Sequence, residues 1–281
     1  MNPVTDDATE RVRKDWDSQA DKWFEERESI LEASRPVHEW LAKHLEPRNG
    51  QRIIEIAAGP GDTGFLIAPM LGSGRLVSTD LSPIMLDAAR KRASELGITN
   101  VDFRVLDAQA MDLPDASFDG AVCRWGFMLM PDPAAAFREC KRILVPGGRL
   151  VFAVFTGRDK NPFASLPAKI LMEMGQLPPP SAGWTPGILA LADRTRLESL
   201  VDAAGFKNVE LELVAMTWTF KDIDDYWRFL IELTALGPRI RSLPDGERTR
   251  FRETLDARLR PFARTDRLDL PAECWGCVAI A

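Results

Sequence analysis

Residues 59–64 have the composition of a loop that holds a ligand against the protein backbone. Their order, Gly-Pro-Gly-Asp-Thr-Gly, places glycine at the first, third and sixth positions. Glycine has no Cβ, so such a loop lets main-chain N–H groups approach a ligand closely. Asp80 follows Gly59 by 21 residues, and an acid at that spacing typically accepts hydrogen bonds from ribose hydroxyls. The pattern favours a nucleotide site over the alternative, a tight turn in which Asp80 only caps the next helix.

Two further carboxylates stand near the ends of predicted strands. Glu55 precedes the glycine loop at a position where a dinucleotide site has no need of an acid. We therefore expect Glu55 to face a positively charged ligand group. Asp107 ends the third predicted strand, and we expect it to accept a hydrogen bond from an exocyclic adenine amine.

Apolar runs bounded by turn signals predict the sheet that must position these acids. The predicted strands are residues 52–58, 76–79, 101–106, 120–124, 149–155, 209–220 and 274–281. Helical patterns separate most of them, which predicts an α/β fold with helices on both faces of the sheet. We expect a Rossmann-like, doubly wound, seven-stranded and mostly parallel sheet with an antiparallel last strand, plus helical lid insertions.

Apolar spacing of three and four predicts an amphipathic amino-terminal helix through residues 12–31. A second, shorter helix is predicted after Arg35, with Pro36 in its first turn. Prolines interrupt residues 157–191, which predicts a lid or linker there. The predicted organisation is an amino-terminal helical cap (1–49), a nucleotide-binding core (50–156), a lid insertion (157–191), a continuation of the core (192–220), a helical substrate or lid insertion (221–265) and the last core strand (266–281).

Composition narrows the classes of protein. With 45% hydrophobic and 28% charged residues and no apolar stretch long enough to span a bilayer, the chain is predicted to lack a membrane span and to be cytoplasmic. Four cysteines and two histidines favour neither a disulfide framework nor a metal site, and Cys274 and Cys277 are expected to be core residues. A formal charge of -6 argues against a nucleic-acid partner. The expected partner is a small molecule, and the oligomeric state is left open, a homodimer included.

Five segments in order resemble the successive motifs of the class I S-adenosylmethionine-dependent methyltransferases, the methyltransferase domain family. They are residues 53–61, 80–82, 107–108, 118–119 and 144–148. The ubiquinone and menaquinone C-methyltransferase-like branch is the nearest in pattern, and the resemblance extends over about residues 50–156. It implies S-adenosylmethionine as the cofactor and transfer of its methyl group to a small, hydrophobic or aromatic acceptor by in-line displacement.

The resemblance also implies a set of cofactor-binding residues and an amino-terminal helix that covers the cofactor. The set is Trp23, Glu55, Ala57, Gly59, Gly61, Asp80, Leu81, Met85, Asp107, Ala108 and Arg124. Ala57 departs from the family pattern, which has glycine there, and its methyl group is expected to narrow the approach to the methionine half of the cofactor. For Arg124, an ion pair with Asp102 or Glu139 is the alternative.

Three tryptophans predict an aromatic acceptor pocket: Trp125 after the fourth predicted strand, Trp184 in the lid insertion and Trp218 near the end of the sixth predicted strand. His38 and Tyr226 are weak candidates for a general base, since each is also explained by helix packing, as is His44. An NAD(P)-dependent oxidoreductase and a non-catalytic nucleotide-binding or interaction protein stay as alternative functions. The sequence leaves open the acceptor and whether oxygen, nitrogen or carbon is methylated.

Overall fold

A computed structural model describes residues 3–179 and 184–281. Its strands are β1 (Arg52–Glu55), β2 (Arg75–Asp80), β3 (Val101–Val105), β4 (Phe118–Arg124), β5 (Leu144–Phe155), β6 (Lys207–Phe220) and β7 (Leu268–Ile280). They form one sheet in the order β3-β2-β1-β4-β5-β7-β6. Strand β7 pairs antiparallel with both of its neighbours, β5 and β6, and the other four strand pairs of the described ranges are parallel. The predicted fold class is confirmed.

Ten α-helices flank or cover the sheet within the same described ranges. They are α1 (Pro3–Glu25), α2 (Arg27–Leu45), α3 (Asp62–Ile67), α4 (Pro83–Glu95), α5 (Pro133–Ile143), α6 (Pro162–Glu173), α7 (Arg194–Ala203), α8 (Ile223–Leu233), α9 (Gly237–Arg241) and α10 (Asp245–Leu259). Helix α4 begins as its sequence signals predict, because the Ser82 hydroxyl accepts from the Met85 N–H at 3.1 Å and Pro83 occupies the first turn.

The amino-terminal helices break at a different place from the predicted one. The break falls at Glu26, and Pro36 lies inside α2 instead of opening a helix after Arg35. Pro36 and Glu32 are both exposed. The carbonyl that proline leaves without its helical partner is therefore on a face where water can satisfy it, and the helix continues.

A second difference concerns residues 146–148, which were expected to turn the chain into the fifth strand. Strand β5 already starts at Leu144, and its pairing with β4 shifts register between Phe118 and Gly120. Gly147 has a φ of 82°, a left-handed conformation that glycine adopts without strain. The segment is thus an irregularity within a long strand.

Parallel strands bring the predicted ligand residues to one edge of the sheet. The order of the strands reverses between β1 and β4, and open α/β sheets bind ligands beyond the carboxyl ends of the strands at such a point. Glu55 is in register with Ser78 of β2 and Val122 of β4, so the glycine loop leaves the sheet from its centre.

Helices from the two predicted insertions pack on each other. Tyr226 of α8 donates to the carbonyl of Phe163 in α6 at 2.6 Å, and Gln176 donates to Glu247 of α10 at 2.7 Å. An ion pair also joins Arg258 to Glu173. We call α6, α8 and α10 the insertion helices. Residues 180–183 of the predicted lid lie outside the described residues, and the division into domains stays a prediction.

Cys274 and Cys277 lie in the core, as expected from the sequence. All four cysteines are buried and none forms a disulfide. Within the described ranges, no helix combines the length and apolarity needed to cross a bilayer. The same ranges contain no cluster of three or more side chains suited to hold a metal ion.

Candidate active site

The glycine loop presents its backbone to open space at the end of β1. Gly59 and Gly61 have φ values of 55° and 86°, which glycine adopts readily. A Cβ added at Gly59 would meet no atom within 4 Å, whereas one at Gly61 would collide with the ring of Phe65. The side of the loop at Gly59 is therefore accessible to a ligand, and the side at Gly61 packs on the protein.

Asp80 holds the loop to the start of α4. Its Oδ2 accepts from the Gly59 N–H at 2.8 Å and its Oδ1 accepts from the Ser82 N–H at 2.8 Å. Burial raises the pKa of this carboxyl above its ordinary value. A carboxylate has about four lone-pair sites, so roughly one on each oxygen is left for a further donor. The position suits the predicted ribose contact.

Asp107 is arranged in a similar way at the end of β3. Its Oδ1 accepts from the backbone and side-chain amides of Gln109, both at 2.9 Å. Ala108 between them is buried. The bonds leave Oδ2 of Asp107 without a partner among the described residues, as the predicted contact with an adenine amine requires.

Helix α1 crosses the ends of β2 and β3. Asp17 accepts from the Ser82 hydroxyl at 2.6 Å, and Gln109 donates to the Thr9 hydroxyl at 3.2 Å. Met85 is buried beneath this crossing, and Leu81 is partly buried. The arrangement is that of a helix able to cover a ligand bound at these strand ends, as the resemblance implies.

Glu55 is bound to the protein through both carboxylate oxygens. Oε1 accepts from the Gly64 N–H at 2.7 Å and Oε2 accepts from the Ser78 hydroxyl at 3.1 Å. Burial raises the pKa of Glu55 to about 7. In this structure Glu55 anchors the first turn of α3, and its contact with a cationic ligand group stays a prediction.

Ala57 occupies a left-handed conformation with a φ of 51°. Such a conformation places Cβ against the following carbonyl oxygen, which costs roughly 1–2 kcal/mol for a residue other than glycine. A glycine at this position, as in the family pattern, has no such strain. The departure in sequence therefore carries a cost in the backbone.

We expect Ala57→Gly to stabilise the fold by up to about 1 kcal/mol, because the relieved strain exceeds the roughly 0.5–1 kcal/mol of added chain entropy. The melting temperature should rise by about 1–3 °C. Ala58→Gly is the matched control, since buried Ala58 does not share the left-handed conformation and should lose stability. A lower melting temperature for Ala57→Gly than for the wild type would contradict the prediction.

Arg124 ends β4 with a guanidinium that no acid pairs with in the described part of the chain. The predicted alternative partners are engaged elsewhere, since Asp102 binds Arg75 and Glu139 binds Arg142. The guanidinium lies 4.4 Å from the centroid of the Trp125 ring, and burial lowers its pKa. Burial also raises the pKa of nearby Asp62. Arg124 is thus available to an anionic ligand group.

His38 belongs to a buried chain of polar groups between α2 and α3. Its Nε2 lies 2.9 Å from the Ser34 hydroxyl and its Nδ1 lies 2.9 Å from the Thr63 hydroxyl. Burial lowers its pKa well below the ordinary value, with Arg124 contributing, so the ring is neutral. Both ring nitrogens are engaged, which suits a residue that positions the glycine loop.

The other base candidate and the second histidine have packing environments. Tyr226 is fully buried, its hydroxyl donates a hydrogen bond to the carbonyl of Phe163, and burial raises its pKa. His44 stacks on Trp40 with centroids 4.0 Å apart. A general base must reach its substrate, and neither geometry supports that role.

Two of the three predicted pocket tryptophans lie together. Trp125 and Trp218 have ring centroids 6.2 Å apart, while Trp184 donates to the carbonyl of Met130 and lies beside Arg196. The ring of Trp23 contacts that of Trp16, with centroids 5.6 Å apart, and its predicted contact with the cofactor stays a prediction.

Phenylalanines complete the cluster around these two tryptophans, and the sequence analysis missed them. Phe155 stacks on Trp125 at 4.6 Å, and Trp218 contacts Phe163 at 5.2 Å and Phe229 at 5.5 Å. The available signal was the position of Phe155 at the end of a strand. We call Trp125, Trp218, Phe155, Phe163 and Phe229 the aromatic cluster.

The reversed strand order, the open glycine loop and the acids at the ends of β2 and β3 define a nucleotide-binding protein of the Rossmann-like class. Residues 53–148 match the family model described as Methyltransferase domain. A solved structure of a SAM dependent methyltransferase from Aquifex aeolicus has the same fold, with a TM-score of 0.52, 15% identity and coverage of 90% of this chain and 92% of that one.

Two curated relatives identify the family. The Ubiquinone/menaquinone biosynthesis C-methyltransferase UbiE of Cellvibrio japonicus is 31% identical over 173 residues, 58% of this chain and 70% of the relative. The Demethylmenaquinone methyltransferase of Deinococcus radiodurans is 31% identical over 165 residues, which are 56% of this chain and 68% of the relative. The chain therefore belongs to the class I S-adenosylmethionine-dependent methyltransferases, in the ubiquinone and menaquinone C-methyltransferase-like branch.

Proposed function

We propose that this enzyme transfers the methyl group of S-adenosylmethionine to a small, planar and apolar acceptor by in-line displacement. The aromatic cluster carries the proposal. It joins Trp125 at the end of β4 to Trp218 near the end of β6, and Trp125 lies beside Arg124, which pairs with no acid of the described residues. Aromatic walls favour flat apolar molecules and exclude water.

The residues at the strand ends fit the cofactor. Asp80 has lone pairs left for ribose hydroxyls, and Asp107 has an oxygen left for the adenine amine. Arg124, with no acid paired to it in the described ranges, would bind the carboxylate of the methionine half. Leu81 and Met85, beside Asp80 at the start of α4, would provide apolar contact with the nucleoside.

Bound S-adenosylmethionine supplies a methyl group on a sulfonium, whose thioether leaving group needs no protonation. The protein is then required to align the acceptor and to keep water out. A base is needed only for an acceptor that arrives protonated. His38 and Tyr226 are both engaged in internal hydrogen bonds, so the proposal assigns catalysis to alignment and desolvation.

The relatives narrow the acceptor class that we propose. One is named for C-methylation in ubiquinone and menaquinone biosynthesis, and the other for methylation of demethylmenaquinone. A quinol ring is planar and largely apolar, and it carries oxygens that can accept hydrogen bonds. We infer that the acceptor of this chain is a molecule of that general shape, enclosed by α1 and the insertion helices.

Ligand-dependent unfolding tests the cofactor. At about 100 times its dissociation constant, S-adenosylhomocysteine should stabilise the protein by about 2.7 kcal/mol, which raises the melting temperature by roughly 5 °C or more. NAD and NADP at the same concentration should leave it unchanged. Stabilisation by the dinucleotides alone would replace the proposal with the oxidoreductase alternative.

Methyl transfer is then measured directly with isotopically labelled S-adenosylmethionine and a panel of phenols, quinols and planar amines. Mass spectrometry of the product shows whether oxygen, nitrogen or carbon carries the label. Transfer only to linear or highly charged acceptors would contradict the proposed acceptor class.

A further inference from the structure

A small cavity lies between the end of β6, α8 and the first turn of α2. Its apolar wall consists of Ile30, Trp218, Phe220 and Phe229. The cavity holds about 30 Å³, which is room for water but not for an aromatic molecule. Trp218 lines the cavity and also contacts Trp125, so its ring joins the cavity to the aromatic cluster at the end of β4.

Trp218 has a polar atom that its surroundings do not satisfy. The side chain is 4% exposed, and its Nε1 has no hydrogen-bond partner among the described residues. The Trp23 indole is in the same state within the described ranges, whereas the indole of Trp125 donates to the Cys274 sulfur at 3.2 Å and that of Trp275 donates to the carbonyl of Ala192 at 3.0 Å. A buried donor without a partner destabilises the fold, so the Trp218 N–H is suited to a ligand that brings an acceptor atom.

Charged side chains close the mouth of the same cavity. Arg228 of α8 forms an ion pair with Glu26, the residue between α1 and α2, and a second one with Asp225 at 2.9 Å. Two carboxylates against one guanidinium leave the mouth with one net negative charge. The Arg228 side chain is 45% exposed, and ion pairs at such exposure are weak enough to open. With the pair closed the cavity has room only for water, so a planar acceptor enters only when the pair opens and the cavity widens.

We propose that Trp218 is a specificity-determining residue of the acceptor site, whose indole N–H binds an oxygen of a planar, uncharged acceptor. The Arg228–Glu26 pair closes the site behind it and disfavours anions. This inference rests on the proposed function and adds to it a recognised atom, a charge preference and an entrance.

Three aromatic probes of matched size test the inference on the full chain saturated with S-adenosylhomocysteine. They are 2-naphthol, which has a neutral oxygen, naphthalene, which has none, and 2-naphthoate, which is anionic. Binding is measured by titration while the ¹⁵N-labelled indole N–H resonances of the tryptophans are followed by NMR. Trp218→Phe identifies the Trp218 resonance by its disappearance and removes the donor while keeping an aromatic ring.

In the wild type, 2-naphthol should move the Trp218 indole proton downfield, and 2-naphthoate should bind more weakly than 2-naphthol. Trp218→Phe should lower the affinity for 2-naphthol by about 3- to 10-fold and change the affinity for naphthalene by less than about 2-fold. Phe229→Leu is the matched control, since it removes ring contact without removing a donor and should weaken both probes to the same extent.

The inference is overturned if neither 2-naphthol nor naphthalene binds. It is also overturned if the Trp218 resonance does not move with 2-naphthol, or if Trp218→Phe leaves the affinity for 2-naphthol unchanged. Tighter binding of 2-naphthoate would overturn the charge preference. Failure of the proposed function looks different, because S-adenosylhomocysteine itself would then fail to stabilise the wild type. Stabilisation of Trp218→Phe by S-adenosylhomocysteine shows that the variant is folded and its cofactor site intact.

Discussion

Asp80→Ala is expected to weaken S-adenosylhomocysteine binding by about 30- to 150-fold, equivalent to about 2–3 kcal/mol. Two effects add. The ribose hydroxyls lose a charged acceptor, and the Gly59 and Ser82 N–H groups lose the partner that holds the glycine loop to α4. The measurement is calorimetric titration of the folded variant.

Asp80→Asn tests whether both carboxylate oxygens of Asp80 are needed. Each carboxylate oxygen accepts from a different backbone N–H, and an amide offers only one oxygen, so its NH₂ must face one of these donors. We therefore expect Asn to be nearly as damaging as Ala. An Asn variant that binds like the wild type would show that Asp80 does not hold the loop in this way.

Asp107→Asn serves as the comparison at the neighbouring strand. Among the described residues, only Oδ1 of Asp107 accepts hydrogen bonds, both from Gln109. An amide oriented with its oxygen toward Gln109 therefore keeps those bonds. We expect a smaller loss of affinity than for Asp80→Ala. The opposite order would mean that the two strand ends have exchanged roles.

Local signals were sufficient for the elements that hold these acids. Ser82 and Pro83 at the start of α4 and the glycines of the loop act on the residues beside them, so their effects can be read from a short window of sequence. The break at Glu26 has no glycine or proline to mark it. It coincides with the ion pair to Arg228, which lies 202 residues away in the chain.

The acceptor side of the site depends on such distant contacts. Trp218 was predicted as a pocket residue from its type alone, but nothing near it in sequence indicates that it meets Phe163 or Phe229. Trp184 has the same residue type, and it lies elsewhere because its indole donates to Met130. Residue type predicts a preference for burial, whereas the side chains that a tryptophan contacts are set by the packing of all the insertion helices.

Glu55 should make the stability of the protein fall as pH rises from about 4.5 to about 7. Its pKa is raised by burial from 4.5 to about 7, so in this window the folded state binds a proton that the unfolded state has lost. The free energy of unfolding therefore decreases with pH, by about 3 kcal/mol in total. The burial cost is absent below the window and fully present above it.

Glu55→Gln removes this titration and can keep the local contacts. The amide oxygen can accept from the Gly64 N–H, and the NH₂ can donate to the Ser78 hydroxyl. Relative to the wild type, the variant should gain about 3 kcal/mol between pH 4.5 and pH 7 in denaturant unfolding. Asp62 and Asp80 also have pKa values raised by burial, so the difference between the two proteins is the quantity to measure.

Glu139→Gln is the control with the opposite sign. The guanidinium of Arg142 lowers the pKa of Glu139, so this carboxylate stabilises the fold above its ordinary pKa and loses that effect as pH falls through the lowered value. The wild type should therefore hold an advantage over Glu139→Gln at neutral pH that disappears in acid. A difference curve for Glu55→Gln that is flat, or that runs in the same direction as the one for Glu139→Gln, would contradict the assignment of Glu55.

The Glu55→Gln variant also decides whether Glu55 touches the cofactor. Titration with S-adenosylhomocysteine at pH 8, where Glu55 is ionised, compares a carboxylate with a neutral amide of the same shape. A residue that only anchors Gly64 should leave the affinity within about 2-fold, whereas loss of a charged hydrogen bond to a cationic amine should weaken it by about 10-fold or more. Because both oxygens of Glu55 already accept from the protein, at 2.7 Å from Gly64 and 3.1 Å from Ser78, we expect the smaller change.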